Sequence, residues 1–201
     1  VIFKPNAGPQ TDFLAAGERE VLYGGSAGGG KSYAMLADPL RFMGHPAFSG
    51  LLLRHTTEEL RELIFKSQEM YPKIWPGIKW SERKMQWTAP SGARLWMSYL
   101  DREDDVLRYQ GLAFSWIGFD ELTQWPTPFA WNYMRSRLRS TANDLPVYMR
   151  ATTNPGGRGH HWVKKMFIDP APHNKSFDAT DIETTEVLKY PAGHKKAGKA
   201  L

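Results

Sequence analysis

The stretch GGSAGGGKS at residues 24–32 constrains the fold more than any other part of the chain. Gly25, four further residues, and then Gly30, Lys31 and Ser32 satisfy the pattern G-x-x-x-x-G-K-[ST]. An apolar, strand-like stretch precedes it and a helix-like stretch follows it. Glycines let the backbone wrap closely around an anion, and the start of the following helix adds a positive end. Residues 24–32, called the P-loop below, are therefore predicted to bind phosphate.

Each residue of the P-loop has an expected role. Lys31 is expected to lie against the β- and γ-phosphates of a nucleotide such as ATP, and the Ser32 hydroxyl is expected to bind Mg²⁺. The loop residues expected to surround the phosphates are Gly25, Ser26, Ala27, Gly28, Gly29 and Gly30. The alternative is a glycine-rich turn that carries GKS by chance, and the strand before and helix after favour the nucleotide.

Strand-like and helix-like stretches alternate along the rest of the chain. Buried strands are predicted at 50–56, 115–121 and 146–154, a capped helix is predicted in TTEELRELIFKSQEMY, and a hairpin is predicted from strands at 84–89 and 93–100. Alternation at this interval implies βαβ units. We therefore expect an α/β fold of the P-loop NTPase type (RecA-like, ASCE), with a mainly parallel central sheet and helices on both faces.

Composition limits the remaining possibilities. The 201 residues, 41% of them hydrophobic, suit one sizeable core, and the net charge of +5 is compatible with an acidic partner such as nucleic acid. The chain has no cysteine, which excludes disulfides and thiolate metal sites. It also contains no apolar run of about 18 residues, the length needed to span a bilayer. We expect a soluble, cytoplasmic protein that does not act at a membrane.

Two carboxylates follow the predicted strand in SWIGFDE, residues 115–121. Asp120 would stand at the carboxyl end of that strand, beside the P-loop, where it can serve the metal. Glu121 comes one residue later and can activate an attacking water as a general base. Taken alone, the pair is better explained as a cap of the next segment. Together with the P-loop, it predicts a hydrolytic site.

A third strand end is found in ATTNPGG, residues 151–157. The strand ends in Thr152, Thr153 and Asn154, and hydroxyl and amide groups at this end can contact the γ-phosphate or the attacking water and respond to its presence. The alternative is ordinary turn chemistry, because Asn-Pro-Gly-Gly forms a good turn without a ligand.

With these motifs in order, the chain resembles the ATPase domain of phage terminase large subunits, the motors that package DNA into capsids. GGSAGGGKS, WIGFDELTQWP and ATTNPGG resemble its Walker A motif, its Walker B motif with the catalytic glutamate, and its coupling motif. LLLRHT and LRYQG add to the likeness, which runs from GPQTDFL to about MFIDP.

The resemblance implies roles for two further residues and a set of partners. Gln10 would lie near the adenine, and Arg108 would complete the site of a neighbouring subunit as an arginine finger, although Arg102 and the arginines at 135, 137 and 139 stay open for that role. The implied partners are double-stranded DNA, the capsid portal and the terminase small subunit. The implied assembly is a homo-oligomeric ring in the host cytoplasm, with a monomer possible in isolation.

The sequence departs from the family pattern in two places. Ser26 and Ala27 stand where many relatives have an arginine in the Walker A loop. Whole terminase large subunits also continue into a nuclease domain, whereas the late acidic residues here, Asp169, Asp178, Asp181 and Glu183, are scattered. We therefore expect residues 1–169 to form an ATPase domain and 170–201 a tail or linker toward a nuclease domain absent from this chain, without nuclease activity.

Two other functions share the same nucleotide site. A helicase-type translocase would use every one of these residues and differ in its nucleic-acid track and partners. A small-molecule kinase would pass the phosphate to an acceptor instead of water. Glu121 directly after Asp120, and no obvious lid for an acceptor, argue against the kinase.

Overall fold

The structure, a computed structural model, describes residues 3–25, 28, 30–172, 175–178 and 197–200. Its strands are β1 (Glu20–Tyr23), β2 (Ser49–Arg54), β3 (Lys79–Ser81), β4 (Gln86–Thr88), β5 (Arg94–Tyr99), β6 (Trp116–Phe119), β7 (Tyr148–Thr152), β8 (Ser176–Asp178) and β9 (Ala197–Ala200). Its helices are α1 (Pro9–Ala15), α2 (Lys31–Ala37), α3 (Thr57–Ile74), α4 (Phe129–Arg135) and α5 (His160–Phe167). Short 3₁₀ helices occupy Asp38–Phe42, Glu103–Tyr109 and Leu122–Gln124.

Within these residues, nine strands form one sheet in the order β3-β4-β5-β2-β6-β7-β1-β9-β8. The five strands from β5 to β1 are parallel to one another. Strands β4 and β5 pair antiparallel, as the predicted hairpin requires, and β3 adds a further antiparallel strand. The predicted α/β fold with a mainly parallel sheet is confirmed.

Both faces of the sheet are covered, which explains the apolar strands. Along β2, Leu52 packs into the core on one face while Leu51 and Leu53 pack into the core on the other. Strands buried on both faces read as continuous apolar runs because successive side chains point to opposite sides. The first core contains residues of α1, α2 and α3, and the second contains residues of α4 and α5.

Two short strands lie within the segment predicted to be a tail or linker. Strand β9 pairs parallel with β1, and β8 pairs antiparallel with β9. The described parts of 170–201 therefore extend the sheet beyond β1. The domain boundary at residue 169 itself stays a prediction, and Asp181 and Glu183 lie outside the described residues.

The parallel strands bring distant parts of the sequence to one edge of the sheet. Because β1, β2, β6 and β7 run in the same direction, the residues at their carboxyl ends and those that follow directly lie close together. These are the P-loop, Arg54 with the start of α3, the Asp120–Glu121 pair, and residues 152–154. Among the described helices, none combines the length and apolar character needed to cross a bilayer.

Candidate nucleotide-binding site

The P-loop connects β1 to α2 and relies on glycine backbone conformations. Gly25, Gly28 and Gly30 have φ angles of 137°, 89° and 72°, which side chains disfavour. At Gly30 space is also limiting, because a Cβ atom there would lie 2.6 Å from the Gln10 Nε2 atom. The predicted phosphate ligands Ser26, Ala27 and Gly29 lie outside the described residues.

Gln10 fastens helix α1 to the P-loop. Its side chain is 3% exposed, and its Nε2 donates a hydrogen bond of 2.8 Å to the Gly30 carbonyl. Its Oε1 accepts a bond of 2.6 Å from the backbone N–H of Asn6. The side-chain amide therefore makes contacts with the protein backbone at both ends. The contact with adenine that the family resemblance implies stays a prediction.

A cleft of about 350 Å³ opens above the P-loop. It is lined by Gly28, Gly30, Lys31, Ser32, Tyr33, Lys66, Glu121 and Asn154. Lys31 is buried, and its Nζ donates a hydrogen bond of 3.0 Å to the Gly25 carbonyl. The structure thus brings Lys31 and Ser32 together with Glu121 and Asn154, as expected for residues on neighbouring strand ends.

Asp120 stands at the end of β6 and is 1% exposed. Its Oδ1 accepts a hydrogen bond from the Thr152 hydroxyl, and its Oδ2 lies 3.0 Å from Nη1 of Arg54. A charge buried inside a protein is costly unless an opposite charge lies beside it. Arg54, at the end of β2, supplies that charge and also lies 3.8 Å from Glu59.

Glu121 has an unusual backbone for a residue with a side chain. Its φ and ψ angles are 62° and 55°, in the left-handed region, a conformation that costs a residue with a side chain roughly 1–3 kcal/mol. Its N–H donates a bond of 3.1 Å to the Thr152 hydroxyl. Its carboxylate accepts one bond of 3.1 Å from the Asn154 N–H and another of 2.6 Å from the Asn154 side-chain amide. These contacts fix the carboxylate within the cleft.

The surroundings of Glu121 also make it a stronger base. Burial raises the pKa of its carboxyl above the ordinary value of 4.5, and the nearby charge of Asp120 raises it further. Arg54, the Asn154 N–H and Lys31 offset part of that rise. A carboxylate with a raised pKa accepts a proton more readily from a water molecule.

Two adjacent threonines at the end of β7 have different environments. The Thr152 hydroxyl contacts both Asp120 and the Glu121 N–H. The Thr153 hydroxyl lies 2.8 Å from that of Thr123, and Thr153 does not line the cleft. The structure therefore brings Asn154 and Thr152 to the carboxylates, whereas Thr153 joins the β7 loop to the loop after β6.

The loops that follow β6 and β7 are in close contact along their length. The Gly159 N–H donates a bond of 2.8 Å to the Thr123 carbonyl, and the Trp162 indole N–H donates one of 2.8 Å to the Trp125 carbonyl. A Cβ atom at Gly159 would lie 2.1 Å from that same Trp125 oxygen. Only glycine fits at this position, which lets the two loops approach.

Arg108 lies apart from the cleft of its own chain. Its guanidinium donates a hydrogen bond to the Tyr99 carbonyl and lies 5.8 Å from the centre of the Tyr99 ring and 5.5 Å from that of Tyr109. It lines a separate cavity with residues that include Trp96 and Phe114. A role of Arg108 in a neighbouring subunit stays a prediction.

The family of the chain follows from a comparison with protein-family models. The model described as "Terminase large subunit, T4likevirus-type, N-terminal" matches residues 22–197. The chain belongs to this family. Comparison with curated protein sequences found no match.

Solved structures support the fold of this terminase domain. A large terminase from a thermophilic bacteriophage is similar with a TM-score of 0.64 and 19% identity over 83% of this chain and 43% of that one. The large terminase ATPase domain of Thermus phage P74-26 is similar with a TM-score of 0.61 and 12% identity, over 98% of this chain and 81% of that one. A chain of the bacteriophage Phi-29 viral genome packaging motor assembly is similar with a TM-score of 0.51 and 19% identity, over 78% of this chain and 48% of that one. The terminase domain thus spans less than half of the first of these proteins.

Sequence reasoning missed two residues of the site in the terminase domain, Arg54 and Lys66, and it did not separate the role of Thr152 from that of Thr153. Arg54 ends an otherwise apolar strand, and a lone charge at that point is a signal that could have found it. Thr152 belongs to the strand end that the sequence singles out, and it contacts Asp120 and Glu121, whereas Thr153 contacts Thr123. Lys66 lies in the middle of α3, where the sequence carries no signal that points to the cleft.

Proposed function

We propose that this terminase domain hydrolyses ATP and uses the energy to drive double-stranded DNA into a viral procapsid. The observation that carries the proposal is that a general-base candidate, Glu121, lines the same cleft as Lys31 and Ser32 of the P-loop. The Asn154 N–H and side-chain amide hold the Glu121 carboxylate at this place, beside the residues predicted to bind phosphate. The same thermophilic bacteriophage's large terminase has been solved in complex with ADP and with ATP-gamma-S, which supports a nucleotide as the ligand.

In the proposed reaction, water attacks the γ-phosphorus of ATP. The bond from that phosphorus to the β,γ-bridging oxygen breaks, and ADP leaves with the bonding electrons. Glu121 accepts the proton of the attacking water, and Lys31 stabilises the negative charge on the phosphates. Asn154, which holds the Glu121 carboxylate by two hydrogen bonds, is suited to respond when phosphate is released.

The residues at the carboxyl edge also suit a Mg²⁺ ion. Ser32 lines the cleft, and the buried Asp120 Oδ2 has no hydrogen-bond donor among the described residues, although Arg54 lies close. Ser32 and Asp120 would hold the ion, directly or through its water. When bound, Mg²⁺ would neutralise charge on the β- and γ-phosphates. Among the described residues, no cluster of three His, Asp or Glu side chains forms another metal site.

The partners belong to the proposal as well. We infer a homo-oligomeric ring that acts on the capsid portal with the terminase small subunit in the host cytoplasm, with Arg108 offered to the neighbouring subunit. The Phi-29 structure is described as a viral genome packaging motor assembly, and that likeness supports a multi-subunit motor. The family favours this function over a helicase or a small-molecule kinase.

The test is ATP hydrolysis by the purified chain at several protein concentrations, with and without duplex DNA. Glu121→Gln is expected to lower kcat about 10²- to 10⁴-fold while the chain still binds ATP, because only the proton acceptor is lost. Lys31→Ala is expected to remove most nucleotide affinity. Glu69→Gln, an exposed change on α3, serves as the matched control. Unchanged turnover in Glu121→Gln contradicts the assignment of the base.

Duplex DNA separates the motor from its alternatives. A packaging motor should be stimulated by duplex DNA and should move along it without opening the strands. A rate that rises steeply with protein concentration would support a site completed between subunits. Strand separation in an unwinding assay would favour the helicase, and phosphate transfer to a small acceptor would favour the kinase.

A further inference from the structure

A second lysine enters the cleft from outside the P-loop. Lys66 of α3 lines the cleft together with Lys31, Ser32, Glu121 and Asn154. The two lysines differ in their surroundings. Lys31 is buried, and its Nζ donates a hydrogen bond to the Gly25 carbonyl, whereas the Lys66 side chain is 35% exposed to solvent. The cleft therefore carries a cation at its solvent side as well as one at its base.

The position of Lys66 is fixed by the helix that bears it. Helix α3 begins with a capping box, in which the Thr56 hydroxyl accepts from the Glu59 N–H and the Glu59 carboxylate accepts from the Thr56 N–H. Ile64, two residues before Lys66, and Ser67, directly after it, are buried. The Tyr71 hydroxyl donates a hydrogen bond of 2.8 Å to the Leu36 carbonyl of α2. Because α2 begins at the P-loop, this contact fixes the distance between α3 and the loop.

Within the described part of the chain, the ammonium group of Lys66 forms only a weak ion pair. Its ion pair there is with Glu62 one turn earlier, at 3.9 Å, and the Glu62 side chain is 71% exposed. Exposed pairs of this kind contribute roughly 0–1 kcal/mol and are screened by salt. A stronger anion in the cleft can therefore replace Glu62 at little cost.

The other charges of the site leave Lys66 available. The Asp120 carboxylate is paired with Arg54, and the Glu121 carboxylate is bound by the Asn154 amide and N–H. A lysine side chain is a flexible four-carbon stem with a compact charge, suited to contact a phosphate oxygen as a point charge. The most negative group that the cleft would hold is the terminal phosphate of a nucleoside triphosphate.

We propose that Lys66 binds the terminal phosphate of the nucleotide and thereby distinguishes a triphosphate from a diphosphate. The inference rests on the proposed function, since it names a further ligand of the same substrate. Lys66 keeps its proton and forms no covalent bond during hydrolysis. Its charge stabilises the phosphoryl group while that group separates from ADP, and it loses this partner once phosphate leaves.

The test compares the binding of ATP-gamma-S and of ADP to the full chain in the presence of Mg²⁺, by titration calorimetry. Lys66→Ala is expected to weaken ATP-gamma-S binding about 10- to 100-fold, the range for one hydrogen bond to a charged group, and to change ADP affinity less than about twofold. Lys66→Gln, which keeps most of the length of the side chain, should behave like Lys66→Ala. Lys66→Arg should restore most of the preference for the triphosphate, and kcat should follow the same order.

Two controls separate the possible failures. Lys73→Ala removes an exposed lysine from the same helix outside the cleft and should change neither affinity. Lys31→Ala reports on the proposed function itself. If Lys66→Ala and Lys66→Gln leave the ratio of the two affinities unchanged while Lys31→Ala abolishes binding, the role of Lys66 is wrong and the proposed function stands. If Lys31→Ala also binds both nucleotides normally, the proposed function fails.

Discussion

The ion pair between Arg54 and Asp120 offers a quantitative test of how the site is built. Arg54 Nη1 lies 3.0 Å from Asp120 Oδ2, and the two side chains are 13% and 1% exposed. The substitution Arg54→Met keeps most of the length of the side chain and removes its charge. Asp120 would then keep the Thr152 hydroxyl as a hydrogen-bond donor but would lose the cation beside it.

The expected cost follows from the burial of the pair. Removal of one partner from a buried ion pair costs about 3–5 kcal/mol, because an uncompensated charge is left inside the protein. Arg54 keeps some contact with water, and Thr152 still bonds Asp120, so we expect the lower end, about 3 kcal/mol. In a domain of this size each 1 kcal/mol lowers Tm by about 2–4 °C. Arg54→Met should therefore unfold at a temperature roughly 6–12 °C lower.

The assay is a double-mutant cycle measured by urea unfolding. The variants are Arg54→Met, Asp120→Asn and the two combined, with Arg61→Met on the exposed surface of α3 as the control. The combined variant should lose clearly less stability than the sum of the two single variants, with an interaction energy of about 2 kcal/mol. The control should stay within about 0.5 kcal/mol of the parent. Strictly additive losses, or an Arg54→Met variant as stable as the control, would refute the ion pair as the partner of Asp120.

Three further outcomes are expected from the geometry of the site. Gly30→Ala should destabilise the fold by at least about 1–2 kcal/mol, because residue 30 has a positive φ and an added Cβ would contact Gln10. Thermal unfolding with and without ATP-gamma-S measures this loss. A variant as stable as the parent under both conditions would contradict it. Thr152→Val keeps the shape of the side chain but leaves Asp120 and the Glu121 N–H without their hydroxyl partner, so stability should fall by about 1–3 kcal/mol and kcat should fall with it. Glu121 can accept a proton only when its carboxyl group is ionised, and burial raises the pKa of that group above 4.5. As the pH is lowered, kcat/KM should therefore begin to fall while the pH is still above 4.5. Because Arg54 lowers the pKa of Glu121, the loss of kcat/KM on the acid side should begin at a higher pH in Arg54→Met than in the parent. A loss that begins at the same or a lower pH would count against Glu121 as the base.

The parts of the site that sequence predicts are those with a local signal. The P-loop carries its glycines, its lysine and its serine within one short stretch of chain, and WIGF followed by Asp120 and Glu121 joins a buried strand to two carboxylates. The hairpin of β4 and β5 is predictable for the same reason, from a turn between two strands. Strand β3 was missed because three half-buried or exposed residues give no periodic pattern.

The parts that sequence does not predict depend on packing between distant elements. Arg54 meets Asp120 because β2 and β6 are neighbours in the sheet, and neither strand's sequence contains that fact. Lys66 reaches the cleft because α3 packs beside α2, where the Tyr71 hydroxyl bonds the Leu36 carbonyl. Thr152 and Thr153 are adjacent and chemically equal, and successive residues of a strand point to opposite sides. Which of them faces Asp120 is decided only by the register of β7 against β6.

The close contact between the loops after β6 and β7 limits how this site could be exchanged with that of a relative. Glu121 contacts Thr152 and Asn154, Thr123 contacts Thr153, and Gly159 lies against the carbonyls of Thr123 and Trp125. Each of these contacts needs one residue from each loop. A chimera that imports residues 120–125 alone would bring in Glu121, the proposed base, without the residues that bind its carboxylate. A chimera that imports residues 152–159 alone would bring in those residues without Glu121. The two segments must therefore be transferred together, although the 26 residues 126–151 of the same chain separate them in sequence.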